Sequence, residues 1–209
     1  RRLSVSLTGL PPSIEEIDFF LEDTAADAYD KLIDRLLLSP HYGEHMAATW
    51  MDVARYADSD GYLDDKHRDF SPWRDWVIDA LNDDLPFDEF TRLPLAGDQT
   101  DNPSLSDLVA TGFHRNTKTN VEGGSDDEEF RIAAVMDRVN PTWQAWMGTS
   151  FSCVQCHSHP YDPIPHESYY SFMAMFDNDW DHDMGNEYPT VSYALDPKER
   201  ETAFELQQQ

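Results

Sequence analysis

Cysteine is scarce in this chain: only two of its 209 residues are Cys, and both fall in one five-residue stretch. A zinc site closed by thiolate ligands needs more cysteines, so such a site is excluded. Basic residues are also few, at 15 Lys and Arg against 41 Asp and Glu, for a net charge of −26. Nucleic acids and anionic membrane surfaces both select basic partners, so neither is expected to bind.

Long apolar runs and strand-like alternation are missing as well. No apolar run approaches the ~20 residues of a membrane span, so no span is expected. No stretch of useful length alternates apolar and polar residues, and no internal repeat is found. The chain opens on Arg1-Arg2-Leu3 without a signal-peptide pattern, so we expect a mature fragment or one domain of a longer chain.

Apolar residues recur instead at helical spacing in several short segments. Ser13 with Glu16 forms a capping-box pattern, and Asn140-Pro141 predicts a break or kink, with Asn140 as the N-cap of a new helix. Helices are predicted at residues 13–21, 27–38, 42–57, 71–81, 86–93, 105–111, 126–139, 141–147 and 166–176, and from 196 onward. The predicted fold class is mostly α, an irregular multi-helix domain with long polar loops, including residues 112–125.

The motif Cys153-Val154-Gln155-Cys156-His157 contains both cysteines. Its C-x-x-C-H spacing is typical of covalent c-type haem attachment, with two thioethers to one porphyrin edge and the histidine as proximal iron ligand. A disulfide, a thioredoxin-like redox pair and part of a zinc site are the alternatives, although a thioredoxin fold requires a βαβ setting. We therefore predict one covalent haem c, within a single helical domain over residues 1–195. Residues 196–209 are predicted to begin a C-terminal helix or a linker to a further domain.

The sequence leaves three possibilities for the sixth iron ligand. His114 lies in a polar loop and could approach from the opposite face of the haem. Met173 is a weaker candidate, together with Met147 and Met175, because a methionine on a helical face is more often core packing. The third possibility is an open or water-ligated position. His159 is too close to His157 along the chain to reach the other face.

Five arginines stand out in so acidic a chain. They are candidates for pairing with haem propionates, since guanidinium groups suit planar carboxylates, and ordinary ion pairing with Asp and Glu is the alternative. They are Arg55, Arg74, Arg115, Arg131 and Arg138.

Two segments carry alternating oxygen side chains that could bind Ca²⁺. One is residues 58–61, and the other contains Asp177, Asp179 and Asp181. Neither completes the EF-hand pattern, because no Glu occupies its twelfth position. A solvated acidic loop is the alternative for both. For the charge of the whole chain, the alternatives are solubility in salty water, divalent cations or a basic partner.

A series of short motifs in fixed order resembles the second of the planctomycete cytochrome-associated domains, a domain of unknown function found in exported proteins. The motifs are Leu7-Thr8-Gly9-Leu10-Pro11-Pro12, Ser39-Pro40-His41-Tyr42-Gly43-Glu44, Ala54-Arg55-Tyr56-Ala57-Asp58-Ser59-Asp60-Gly61-Tyr62, Trp73-Arg74-Asp75-Trp76-Val77, Ala110-Thr111-Gly112-Phe113-His114-Arg115-Asn116-Thr117, Glu122-Gly123-Gly124, Asp137-Arg138-Val139-Asn140 and Cys153-Val154-Gln155-Cys156-His157-Ser158-His159-Pro160-Tyr161-Asp162-Pro163-Ile164. The resemblance implies a domain of larger, exported, cytochrome-like proteins. It implies no particular activity.

Three functions remain as hypotheses. The first is a c-type cytochrome domain that transfers single electrons to a redox partner protein or to other haem domains. The second is a haem-dependent oxidoreductase whose open distal pocket contains His114, Arg115, Asn116 and Glu122. The third is a calcium-stabilised binding module of a larger surface protein. Because haem is attached covalently on the far side of a membrane, a periplasmic or extracellular location is expected.

Overall fold

The computed structural model describes residues 1–120, 122–177, 193–194, 196 and 198–207. Within these residues the chain is mostly helical, which confirms the predicted fold class, and its β pairing is limited to one isolated bridge between Ser59 and His67. The helices are α1 (Arg2–Thr8), α2 (Ile14–Glu22), α3 (Ala28–Leu37), α4 (Pro40–Ala54), α5 (Ser71–Asn82), α6 (Phe87–Ala96), α7 (Leu105–Ala110), α8 (Asp127–Met147), α9 (His166–Met173) and α10 (Arg200–Gln207). No helix in this part of the chain is both long enough and apolar enough to cross a bilayer.

Helix starts follow the local chemistry of the sequence. Ser13 caps α2 as predicted: its hydroxyl accepts the Glu16 N–H at 3.2 Å, and its own N–H donates to the Glu16 carboxylate at 2.8 Å. These two bonds satisfy backbone donors that the first turn of a helix leaves without partners. A second capping box, between Ser104 and Asp107, starts α7.

Three local predictions were wrong or incomplete. Helix α8 runs through Pro141 without a break, so Asn140 is not the N-cap of a new helix. Proline removes one backbone hydrogen bond, but the residues around Pro141 are buried and their packing holds the helix together. Helix α1 was not predicted, and within the predicted loop 112–125 the chain forms a 3₁₀ turn at Thr111–Arg115.

One hydrophobic core lies between α4, α5, α6 and the Thr111–Arg115 turn, and we call it the α4–α5 core. Its fully buried members are Ala47, Ala54, Trp73, Val77, Phe90 and Phe113. Helices α4 and α5 approach closely at Gly43, whose N–H donates to the Asn82 side chain at 2.8 Å. Trp73 fixes α7 to this core, since its indole N–H donates to the Ala110 carbonyl at 3.1 Å.

The second hydrophobic core, the α8–α9 core, lies between α8, the segment after it and α9. Its buried members are Val135, Val139, Phe151, Val154, Tyr169 and Met173. Helix α8 contributes to both cores. Trp146, near its C-terminus, packs against the α4–α5 core, while Val135 and Val139 lie in the α8–α9 core. The segment 151–157 is therefore placed by the same helix that closes the first core.

The close approach at Gly43 gives a stability prediction. A Cβ added there would lie 2.5 Å from the Ile78 carbonyl oxygen and 2.6 Å from the Asn82 side chain. Overpacking of this kind costs about 1–3 kcal/mol, which exceeds the ~0.5–1 kcal/mol that alanine gains over glycine in a helix. We expect Gly43→Ala to lower the free energy of unfolding by about 1–2 kcal/mol in urea titrations.

Gly123→Ala is the matched control, because a Cβ at Gly123 meets nothing within 4 Å. Its free energy of unfolding should stay within about 0.5 kcal/mol of the wild-type value. A Gly43→Ala protein as stable as the wild type would contradict the packing described for α4 and α5.

Candidate functional site

The C-x-x-C-H motif forms a tight surface turn between α8 and α9, which we call the motif turn (residues 151–157). A 3₁₀ helix at Ser152–Gln155 makes its apolar residues point inward: Phe151 is 1% exposed and Val154 is 0% exposed. Phe151 stacks on Trp143 of α8 with ring centroids 4.1 Å apart. Cys153 is half-buried and Cys156 is exposed, and their thiols are not joined in a disulfide.

His157 is exposed at the end of the motif turn, and its Nδ1 lies 2.7 Å from the Ser158 carbonyl oxygen. A carbonyl oxygen can only accept, so Nδ1 carries a hydrogen, and in the neutral ring Nε2 then keeps its lone pair. A backbone carbonyl bound to Nδ1 is the usual arrangement for a histidine that ligates a metal through Nε2. The neutral ring with this hydrogen bond has Nε2 available for iron.

Helix α9 holds the motif turn by hydrogen bonds that could not be predicted from the sequence. His166 Nδ1 donates to the Val154 carbonyl oxygen at 2.7 Å, and the Tyr170 hydroxyl donates to the Gln155 carbonyl oxygen at 2.9 Å. The Gln155 amide donates to the Tyr169 hydroxyl at 2.9 Å. The turn is thus anchored to α9 through its backbone carbonyls and the Gln155 side chain, and not through its cysteines or His157.

A cleft of about 460 Å³ lies at His114, and we call it the His114 cleft. It is bounded by the α6 C-terminus, the Thr111–Arg115 turn, α8 and the end of α9. Arg115, Arg138, Phe172 and Phe176 are among the residues that line it. Both ring nitrogens of His114 are buried and have no hydrogen-bond partner among the residues that the structure describes.

Burial first, and then the positive charges of Arg138 and Arg115, together lower the pKa of His114 to about 3. His114 is therefore neutral at ordinary pH, with one nitrogen as donor and the other as acceptor. A neutral imidazole with an available lone pair can ligate a metal or accept a hydrogen bond.

The predicted distal ligands lie in different surroundings. The His114 ring contacts Phe176, and successive ring contacts run through Phe172 to Phe151 of the motif turn, with centroids 5.1, 5.5 and 6.0 Å apart. Met173 is buried in the α8–α9 core, against which Cys153 also packs. Met147 and Met175 are exposed, at 61% and 68%.

The predicted distal pocket comes together only in part. His114 and Arg115 both line the cleft, but Asn116 and Glu122 are not among its lining residues. Asn116 is buried, and its amide lies within 3.4 Å of the Phe113 carbonyl oxygen. The Glu122 carboxylate accepts the Leu63 N–H at 3.1 Å.

Arg55, Arg74 and Arg131 are held in ion pairs with carboxylates of the described residues, which favours ion pairing over a propionate role for these three. Arg55 donates two hydrogen bonds to the Asp137 carboxylate, and Arg74 pairs with Asp75 at 2.7 Å. Arg131 pairs with both Glu128 and Asp177. Arg115 and Arg138 both line the His114 cleft.

The structure gives little support for calcium binding by either candidate loop. Asp58 accepts from the Tyr56 hydroxyl at 2.6 Å and the Phe70 N–H at 3.2 Å, while Asp177 bonds Arg131 at 3.0 Å. Asp179 and Asp181 lie outside the described residues. Among the residues described, no three His, Cys, Asp or Glu side chains are grouped to hold a metal ion.

A family model described as PSCyt2, protein of unknown function (DUF1549), matches residues 1–180. The chain belongs to the PSCyt2 family. The match includes α1 to α9, the motif turn and the residues of the His114 cleft, so both candidate sites lie within the PSCyt2 domain. No curated protein and no solved structure matches the chain.

The buried His114 predicts an acid-sensitive part of the stability. Its pKa in the fold is about 3, below the ordinary value of 6.5. Between these values the unfolded chain binds a proton that the folded protein does not, so stability rises with pH in this window and is lost as pH falls below 6.5. From pH 7 to pH 5 we expect a loss of about 2 kcal/mol from this group, measured by urea unfolding.

His114→Phe should remove this contribution, because phenylalanine fills the site without titrating. His41→Phe is the control, since His41 is exposed on α4 and should leave the pH dependence of the wild type in place. Equal losses between pH 7 and pH 5 in the wild type and His114→Phe would show that His114 is not held neutral.

Proposed function

We propose that this PSCyt2 domain is an exported c-type cytochrome domain that binds one haem covalently and transfers single electrons. Cys153 and Cys156 would form the two thioethers, and His157 would be the proximal iron ligand. The bound haem would supply the one-electron redox chemistry, with its potential set by axial ligand and burial.

The geometry of the motif turn is the observation that supports this proposal. Phe151 and Val154 are buried, whereas Cys153 is half-buried, Cys156 is exposed, and both carry free thiols. The Nδ1 hydrogen of His157 is taken by a backbone carbonyl 2.7 Å away, so Nε2 is available. A disulfide would have no need of the adjacent histidine, and a thiolate zinc site would require further ligands that the described residues do not bring to this turn.

Location and partner follow from the same proposal. Covalent haem attachment takes place on the far side of a membrane, so the domain would work in the periplasm or outside the cell. Its partner would be a redox protein or another haem domain. The net charge of −26 favours a partner with a basic face, because complementary charge speeds the encounter.

Haem attachment is tested by mass and colour. Produced in cells equipped for cytochrome maturation, the wild type should carry the mass of one haem and show the absorption bands of a covalent haem. The double variant Cys153→Ser, Cys156→Ser should lose both, and Ser152→Ala, a change at an exposed neighbour, should lose neither. A colourless wild-type protein with the mass of its amino acids alone would end the proposal.

The coordination of the iron distinguishes electron transfer from the alternative, a haem-dependent oxidoreductase with an open site near His114. An electron carrier should give a six-coordinate low-spin spectrum that cyanide and carbon monoxide leave unchanged. Met173→Leu and His114→Phe test the two candidate sixth ligands, since loss of the ligand gives a high-spin spectrum. Ready binding of cyanide or carbon monoxide by the wild type would favour the oxidoreductase.

A calcium-stabilised module is the remaining alternative, and the pairing of Asp177 with Arg131 weakens it. It would require melting that depends on calcium in protein free of haem.

A further inference from the structure

Helix α2 (Ile14–Glu22) has no fully buried residue, although five of its nine residues are apolar. Ile14 is 73% exposed, Ile17 is 42% exposed and Leu21 is 71% exposed. Side chains at positions i, i+3 and i+7 of a helix lie on one face, so these three form an apolar stripe, which we call the α2 stripe. An apolar surface with a polar border is typical of sites where a protein binds a partner.

The stripe is not the face by which α2 packs against the rest of the protein. Phe19 and Phe20 lie with Leu32 and Arg35 of α3 around a small cavity of about 30 Å³ between the two helices. Because a helix turns by about 100° per residue, the direction midway between Phe19 and Phe20 is roughly 140° from the centre of the stripe. Helix α3 therefore holds one side of α2 and leaves the stripe toward solvent.

Acidic side chains border the stripe along one side, roughly 40–100° around the helix axis from its first residue. These bordering acids are Glu15, Asp18 and Glu22. All three are exposed, and none forms an ion pair within the described part of the chain. The basic residues of α3 pair with other acids instead, Lys31 with Asp27 at 2.8 Å and Arg35 with Glu16 at 3.8 Å. Basic side chains on a partner would therefore complement this border.

The same charges disfavour two other occupants of the stripe. Helix α2 contains four acids and no basic residue, so the α2 stripe of a second copy would supply no cation to the bordering acids. Two copies would also bring together two chains that each have a net charge of −26. A membrane surface is disfavoured because helices that lie on membranes have Lys and Arg on their polar face.

We propose that the α2 stripe binds a basic amphipathic helix of a partner protein. The apolar face of that helix lies along the stripe, and its Lys or Arg side chains lie beside the three bordering acids. The spacing of the stripe is the one by which helices pack lengthwise in coiled coils, where flanking charges determine the choice of partner. This inference does not depend on haem, because α2 contributes no residue to either hydrophobic core.

The experiment uses the full chain and a fluorescent synthetic peptide of about three heptads, with leucine at positions a and d and lysine at the others. The peptide should bind saturably and one to one in anisotropy titrations at an ionic strength of about 0.15 M. A peptide of the same leucine and lysine content in scrambled order should bind at least tenfold more weakly, although its charge is the same. The haem-free double variant Cys153→Ser, Cys156→Ser should bind the ordered peptide as the wild type does.

Two variants with matched controls locate the site. Leu21→Ser should weaken binding of the ordered peptide at least tenfold, whereas Leu63→Ser, at an exposed leucine between α4 and α5, should leave it unchanged. Glu22→Lys should weaken binding at least threefold, and Glu167→Lys, which changes the net charge equally on α9, should not. All four side chains are exposed, so the circular dichroism of each variant should match that of the wild type.

Equal binding of the ordered and scrambled peptides would overturn the proposal, because attraction to an acidic protein would then explain the result. Equal effects of Leu21→Ser and Leu63→Ser would overturn it as well. A wild-type dimer in sedimentation that Leu21→Ser dissociates would assign the stripe to a second copy instead. Binding to phosphatidylcholine vesicles that Leu21→Ser abolishes would assign it to a lipid surface, and either result would contradict the proposed partner.

Discussion

The burial of Arg138 is the constraint on which much of this structure depends. Its side chain is 2% exposed in the middle of α8. A buried charge is costly unless it is hydrogen-bonded, and the Nε hydrogen of Arg138 is donated to the His114 carbonyl oxygen at 3.2 Å. This bond holds the Thr111–Arg115 turn against α8. As a result, Phe113 reaches the α4–α5 core while the ring of His114 faces Phe176.

Asp137, the residue before Arg138, connects α8 to α4 in addition. Asp137 receives a fork of hydrogen bonds from Arg55 and one from the Thr117 hydroxyl. Arg55 ends α4 with φ at 58°, a left-handed conformation that costs a non-glycine residue about 1–2 kcal/mol. The two hydrogen bonds from the Arg55 guanidinium to the Asp137 carboxylate join the end of α4 to α8 and compensate for that conformation. Arg55 and Arg138 thus connect α8 to the end of α4 and to the Thr111–Arg115 turn.

The sequence was a good guide where a single residue or a short spacing determines the structure. The Ser13–Glu16 capping box and the starts of α5 at Ser71 and of α9 at His166 were predicted directly, although α9 ends at Met173 and not at the predicted residue 176. Pro141 was misread because local chemistry predicts a break there, whereas packing on both of its sides keeps α8 whole. Of the residues that line the His114 cleft, the sequence predicted a shared pocket only for His114 and Arg115, which are adjacent in the chain. Arg138, Phe172 and Phe176 come from α8 and from α9 and its C-terminal end, and only the tertiary fold brings them there.

The two candidate sites share a wall, which limits how they can influence each other. Phe151 of the motif turn contacts Phe172, Phe172 contacts Phe176, and Phe176 contacts His114. A phenylalanine ring has no proton to exchange and is a poor carrier of electrons, so this row of rings would not relay charge from the cleft to the motif turn. It is dense packing, however, and a displacement of Phe176 has to be taken up by Phe172. Any influence of the cleft on the motif turn would therefore be mechanical, through the position of α9, whose His166 and Tyr170 bind the carbonyl oxygens of Val154 and Gln155.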